Sequence, residues 1–213
     1  MLFARTAFID LLQNREYSLH DRLVNVLSAS AEIQYALDEE DTEEIKAIAQ
    51  ELSHPEIIAE RVENLKKALP EKPLENAENM LSYLERLDFI GDILPQQIKD
   101  ASRFVKKLSA PLKAQTSGEY EKLAVYFVYR YFLKAVRDFD LLSKIKAMIV
   151  FVFAAEVINL SREQDAPARF ETVKELCKEI EYSGDNMDRI YDDSYLSDIF
   201  SDISMLALLE WTL

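Results

Sequence analysis

Apolar residues recur along this chain at three- and four-residue spacing, a pattern that predicts helices from end to end. Phe3, Ala7, Leu11 and Leu12 mark one side of a first helix over about 2–14. Leu19, Leu23, Val26, Leu27 and Ile33 stripe a second, which opens near Ser18; Asp21, three positions on, resembles an acidic variant of a capping box. The acidic run 38–41 joins it to a short helix from Thr42, where Glu43 and Glu44 complement the helix dipole. Pro55 suits the first turn of a helix over about 55–68, and the stretch containing Pro70 and Pro73 stops it. Helical spacing resumes through Met80, Leu81, Leu84 and Leu87, and restarts after Pro95 with Ile98, Phe104, Val105 and Leu108. Residues 110–118 form a second punctuated connection.

The centre of the fold is expected in two long helices over about 117–160. Thr116, with Glu119 three residues on, reads as the cap of the first, whose apolar residues run from Leu123, Ala124 and Phe127 through Tyr131 and Phe132 to Ala135 and Val136. The second holds the apolar run 147–155. Periodicity alone allows a strand there, but Leu141, Leu142 and Ile145 before it and Val157, Ile158 and Leu160 after it favour a buried helix. The run is too short to span a bilayer. Pro167 starts a helix through Glu181, a short segment covers 185–191, and an amphipathic tail carries Leu196, Ile199, Phe200, Ile203, Leu206, Leu209 and Trp211. The expected fold is all-α: a multi-helix bundle of about 8–11 helices with two long central ones. It is read as a single domain over 1–213, divisible into helical parts at 1–69 and 74–213, with no repeated block.

Composition narrows the function. The 213 residues carry 25 Lys plus Arg against 39 Asp plus Glu, a net charge of -14 that opposes nucleic acid and anionic membranes as main partners. One cysteine, Cys177, and two histidines, His20 and His54, exclude a self-contained zinc finger, four-thiolate cluster or disulfide scaffold. The N-terminus lacks the long apolar stretch of a secretory signal, so a cytoplasmic location is expected. Glu51 and His54 match half of a di-iron motif whose other half is missing, and no metal site is expected. Asp88 with Asp92, and Asp188 with Asp192, could hold magnesium around a diphosphate, which makes an isoprenoid synthase-like enzyme an alternative; helix capping and solubility explain the same residues. Phosphate-loop and nucleophile-elbow motifs do not occur.

Three stretches invite a binding role. Lys99, Arg103, Lys106 and Lys107, with Lys113, form a basic strip in which Arg103, Lys106 and Lys107 recur on one helical side and suit an acidic contact. Arg130 sits among Tyr126, Phe127, Tyr129, Tyr131 and Phe132, so it needs a carboxylate or an exit to solvent. Glu179, Tyr182 and Asn186 have spacings that place them on one helical face, with Glu181 beside them and Gly184 a possible helix end; they are candidates to satisfy Arg130 or to line a pocket.

Taken together, the run 11–19 with Arg22 and Leu23, the run 126–132, and the run 179–183 with Asn186 resemble the region downstream of the cysteine cluster in bacterial flagellin lysine N-methylases. That resemblance implies S-adenosylmethionine as methyl donor and flagellin as protein partner; Glu179, Glu181, Tyr182 and Asn186 are candidates to help align a lysine amine, a role that family membership does not assign. The family's N-terminal Cys-x-x-x-Cys-Cys cluster has no counterpart here, where Cys177 is the one cysteine. The chain therefore reads as the helical downstream domain, or a truncated homologue, contributing substrate or partner binding. Its rival is an acidic helical interaction module without chemistry of its own.

Overall fold

The computed structural model describes residues 1–68, 72–113, 118–162 and 165–211, and every regular element among them is helical. In chain order they are α1 (Leu2–Gln13), α2 (Leu19–Asp38), α3 (Thr42–Glu51), α4 (Pro55–Ala68), α5 (Pro73–Leu84), α6 (Ile93–Val105) and α7 (Gly118–Tyr131). Then follow α8 (Ala135–Asp138), α9 (Leu142–Arg162), α10 (Ala166–Leu176), α11 (Gly184–Leu196) and α12 (Asp202–Leu209). Among the described residues no helix is long and apolar enough to cross a membrane.

Helix α9 is the axis, with α2, α6, α7, α10, α11 and α12 packed around it. It can serve as one because every residue over 143–159 is buried, as expected of a helix that is apolar on all sides. The strand alternative for 147–155 fails because that run continues the helix set by its flanks. Phe151 meets Phe127 of α7 at 4.6 Å between ring centroids, and Phe153 meets Trp211 at 6.2 Å. The lysines near the start of α9 stay paired despite burial: Lys144 with Asp138 at 3.0 Å, Lys146 with Asp202 at 3.1 Å. Gln34 of α2 satisfies the helix's first backbone donors, its Oε1 accepting from Leu141 and Leu142 at 2.8 and 3.2 Å.

Local signals hold where a side chain meets its own backbone. Ser18 Oγ accepts from the Asp21 N–H at 3.0 Å, and α3 starts at Thr42; Asp41, read in sequence only as part of the acidic connection, caps it through the Glu43 and Glu44 N–H groups. The Thr116 cap and the linker at 69–71 lie outside the described residues.

Faces set by packing differ from the sequence reading at several places. Helix α1 is wedged between α7 on one side and α2 and α3 on the other, which buries Ala4, Phe8, Leu11 and Leu12 and leaves Phe3 exposed. Helix α7 tightens into a 3-10 turn over Phe132–Lys134, which takes Val136 off the buried face. Gly184 begins a helix instead of ending one: Ser183 caps α11 through the Asn186 N–H. Helix α11 runs on to Leu196, whose side chain is exposed, and α12 is buried over 205–209, so the tail is not one amphipathic helix.

Candidate functional site

After α10 the backbone widens into a π turn over Cys177–Glu181, closed by the Tyr182 N–H donating to the Cys177 carbonyl at 2.9 Å. A π turn breaks the angular register of the α-helix. Residues that a helical projection places on one face are therefore dealt to different sides. Glu181 turns in toward α7, Glu179 turns toward the α5–α6 connection, and Tyr182 turns out.

Glu181 is the hub of the inner group. Its Oε1 accepts from the Tyr126 hydroxyl at 2.6 Å and the Tyr131 hydroxyl at 2.7 Å, and lies 3.1 Å from Arg130 Nε. The Arg130 guanidinium rests 5.5 to 5.8 Å from the ring centroids of Tyr126, Tyr131 and Tyr182. With its side chain 45% exposed, Arg130 has both a carboxylate and a route to water. Burial, reinforced by the Glu181 carboxylate, pushes both tyrosine hydroxyls up, so they remain donors at neutral pH. The same two causes push the Cys177 thiol up and leave it a poor nucleophile.

The outer group is a clamp on the loop between α5 and α6. Glu179 Oε2 accepts from the Ile90 and Gly91 N–H groups at 2.7 and 3.2 Å, and its other oxygen lies 3.0 Å from Lys178 Nζ. Lys178 holds the Glu179 carboxyl below its usual range, against burial and with help from those two N–H groups. Asn186 accepts from the Asp88 N–H at 3.0 Å and donates to the Asp88 and Glu179 carbonyls at 2.7 and 3.0 Å. Thus the structure joins Arg130, Glu181 and Tyr182, and separates Glu179 and Asn186 from them.

Beside these groups lies a cleft of about 700 Å³ between α7 and α10. The two helices run parallel: Glu119 meets Arg169 at 2.7 Å at one end, and Tyr126 meets Glu181 at the other. Leu123, Tyr126, Phe170 and Val173 make apolar walls. At its base the Asn159 amide donates to the Tyr120 hydroxyl at 3.0 Å, and burial pushes that hydroxyl up to about 12. Tyr182 stands at the end near Glu181 and is 65% exposed.

The basic strip lies elsewhere. Lys99 and Arg103 are exposed on α6, but the helix ends at Val105, so Lys106 and Lys107 do not continue its face. Arg103 pairs with Asp100 at 3.0 Å, and the strip contributes no residue to the cleft. Among the described residues no group of three or more His, Cys, Asp or Glu side chains is placed to hold a metal ion. Glu51 pairs with Arg61 and His54 with Glu56, while His20 sits between Asp21 and Glu210.

Sequence reasoning missed Glu121. This buried carboxylate takes Arg15 Nη2 at 3.0 Å and Arg22 Nη1 at 2.8 Å, tying the α1–α2 turn to α7. The signal was its register with the apolar Ala124 and Val128, three and seven positions on, both of which are buried.

The sequence model of the FliB lysine N-methylase C-terminal domain matches residues 5–208. No curated protein and no solved structure matches the chain.

Proposed function

We propose, for a chain that belongs to the FliB lysine N-methylase C-terminal domain family, a supporting role in protein lysine methylation, in which its helices bind the protein substrate or a partner. Flagellin is the partner the family implies. The extent of the family match, which leaves out only the ends of the chain, is the observation that carries this reading.

Methyl transfer needs a neutral lysine amine aimed in line at the donor methyl group. Glu181 and Glu179 are engaged in other work: Glu181 holds Tyr126, Tyr131 and Arg130, and Glu179 holds the Ile90 and Gly91 backbone. They serve here as positioning groups that fix α7, α10 and the α5–α6 loop. The same commitment favours the second reading, an acidic interaction module with no chemistry of its own.

S-adenosylmethionine is the donor the family implies. The aromatic cleft walls suit a purine, but the donor's sulfonium and ammonium would enter a lining that carries Lys122, Arg169, Lys174 and Lys178. Among the described residues Glu119 is the one carboxylate in that lining, and Arg169 already engages it. The lining does not fit the donor as a whole, so the proposed role gives this cleft no part in holding it.

Calorimetric titration of the chain with S-adenosylmethionine, and separately with flagellin, tests the reading. Saturable binding of flagellin without the donor is expected. Failure to bind flagellin, with or without donor, would overturn the substrate-binding role. Saturable donor binding by the chain, lost in Phe170→Ala, would overturn the exclusion of the donor from the cleft.

A further inference from the structure

We infer that the α7–α10 cleft is a binding site for a compact organic anion with an aromatic or aliphatic body. Its occupant is set by the cleft's own chemistry, whether or not flagellin is the protein partner.

Length comes first. From Glu119 to Tyr126 the α7 wall runs seven residues, about 10 Å at 1.5 Å per residue. The Glu119–Arg169 ion pair spans one end, and the Tyr126–Glu181 hydrogen bond ties the helices at the other. Two crosslinks so close together leave room for a compact group and not for a partner helix laid along the groove. A volume of about 700 Å³ falls within the range of small-molecule sites, as does a mainly apolar lining with a few polar groups.

Charge selects the class. Among the described residues Lys122, Arg169, Lys174 and Lys178 line the cleft against Glu119 alone, in a chain whose net charge is -14. Three of these cations have carboxylate partners: Arg169 has Glu119, Lys174 has Glu171 at 2.8 Å, and Lys178 has Glu175 and Glu179 at 3.3 and 3.0 Å. Glu171, Glu175 and Glu179 lie outside that lining, so among the described residues cations outnumber carboxylates four to one at the cleft itself. An anionic head is drawn to that rim, while a protonated lysine side chain is repelled by it. Phe170, 68% exposed on the α10 lip, offers the apolar body a surface that water now covers.

The head could be a free carboxylate or the acidic side chain of a peptide with an adjacent aromatic residue; the recognition chemistry is the same. The test uses anilinonaphthalene sulfonate, an aromatic monoanion whose fluorescence rises in an apolar site, with thioflavin T as an aromatic cation for contrast. We expect one saturable sulfonate site, weakened by salt, and weakened roughly tenfold in Lys122→Glu and Lys174→Glu, both surface changes. Phe170→Ala should weaken it to a similar extent. Displacement by 4-phenylbutyrate identifies a free carboxylate as a sufficient ligand. Displacement by acetyl-Glu-Phe-Glu-amide alone identifies the peptide source. Equal binding by wild type and both charge-reversed variants, or equal affinity for thioflavin T, would overturn the assignment, as would displacement by neither competitor. Should a reversed variant fail to fold, Lys122→Gln reads the same charge dependence at lower amplitude. None of these readouts involves flagellin or a methyl donor, so their failure is separate from failure of the methylation reading.

Discussion

Arg22 and Glu121 stand 99 positions apart in sequence, yet the guanidinium donates to the carboxylate at 2.8 Å, with both side chains almost wholly buried. The same Arg22 nitrogen donates to the Leu12 carbonyl, so one side chain ties the end of α1 to α7. Removing this cation leaves the buried carboxylate with only its exposed partner, Arg15, among the described residues. Arg22→Met is expected to cost about 3–5 kcal/mol in urea unfolding. The double variant Arg22→Met with Glu121→Leu should recover much of that loss, because no buried carboxylate is then left short of its buried cation. A loss below about 1 kcal/mol for Arg22→Met would refute the burial argument.

Acid should expose the same group. Burial opposes ionisation of Glu121, but the hydrogen bonds from Arg15 and Arg22 outweigh it and hold the carboxyl below its usual range. A depressed folded-state pKa adds stability above the unfolded value, and that stability is lost as pH falls through the folded value. Glu179, lowered by Lys178, acts in the same direction. Stability should therefore fall with decreasing pH from about pH 4.5 downward, and the fall should be shallower in the double variant. Parallel pH profiles for wild type and double variant would count against Glu121 as a source.

Phe151 tests the core. It is 1% exposed and packs on Phe127 at the α7–α9 contact. Phe151→Ala should destabilise by about 3–5 kcal/mol, through lost burial and the cavity left behind. Thermal or urea unfolding that changes by less than about 1 kcal/mol would contradict its central place.

A methyl group at Gly91 would press on its clamp. A Cβ there would lie 3.0 Å from Glu179 Oε1, on a carboxylate already held by two backbone N–H groups and Lys178. Gly91→Ala should cost about 1–2 kcal/mol by forcing that carboxylate aside. Hydrogen exchange at the Ile90 and Gly91 amides should quicken. Unchanged protection there would mean the clamp tolerates the shift.

Cys177 should behave as a quiet thiol although it lines the cleft. Burial first, and then the Glu181 carboxylate, push its pKa up. Alkylation by iodoacetamide at pH 8 should run roughly tenfold or more slower than for a free cysteine. Glu181→Gln should speed it. A rate equal to that of free cysteine would remove both causes at once.

Much of the fold was legible in local patterns. The Ser18 cap, the start of α3 at Thr42, the start of α4 at Pro55 and the buried run of α9 all follow from interactions within a few residues or from apolar periodicity. The need of Arg130 for a carboxylate was legible too, because a cation among aromatic rings has few ways to remain charged. Which carboxylate answers it was not. Glu181 supplies it because a π turn at 177–181 breaks the helical register, and no spacing rule signals that turn. Likewise Glu179 and Asn186 share a helical projection with Tyr182 and yet serve a loop some ninety residues earlier in the chain. The sequence by itself determined the helices and their apolar content, since propensity, capping and periodicity act over one or two turns. Tertiary structure alone decided the partners of the buried charges and the cleft between α7 and α10, because those depend on how helices distant in sequence meet across α9.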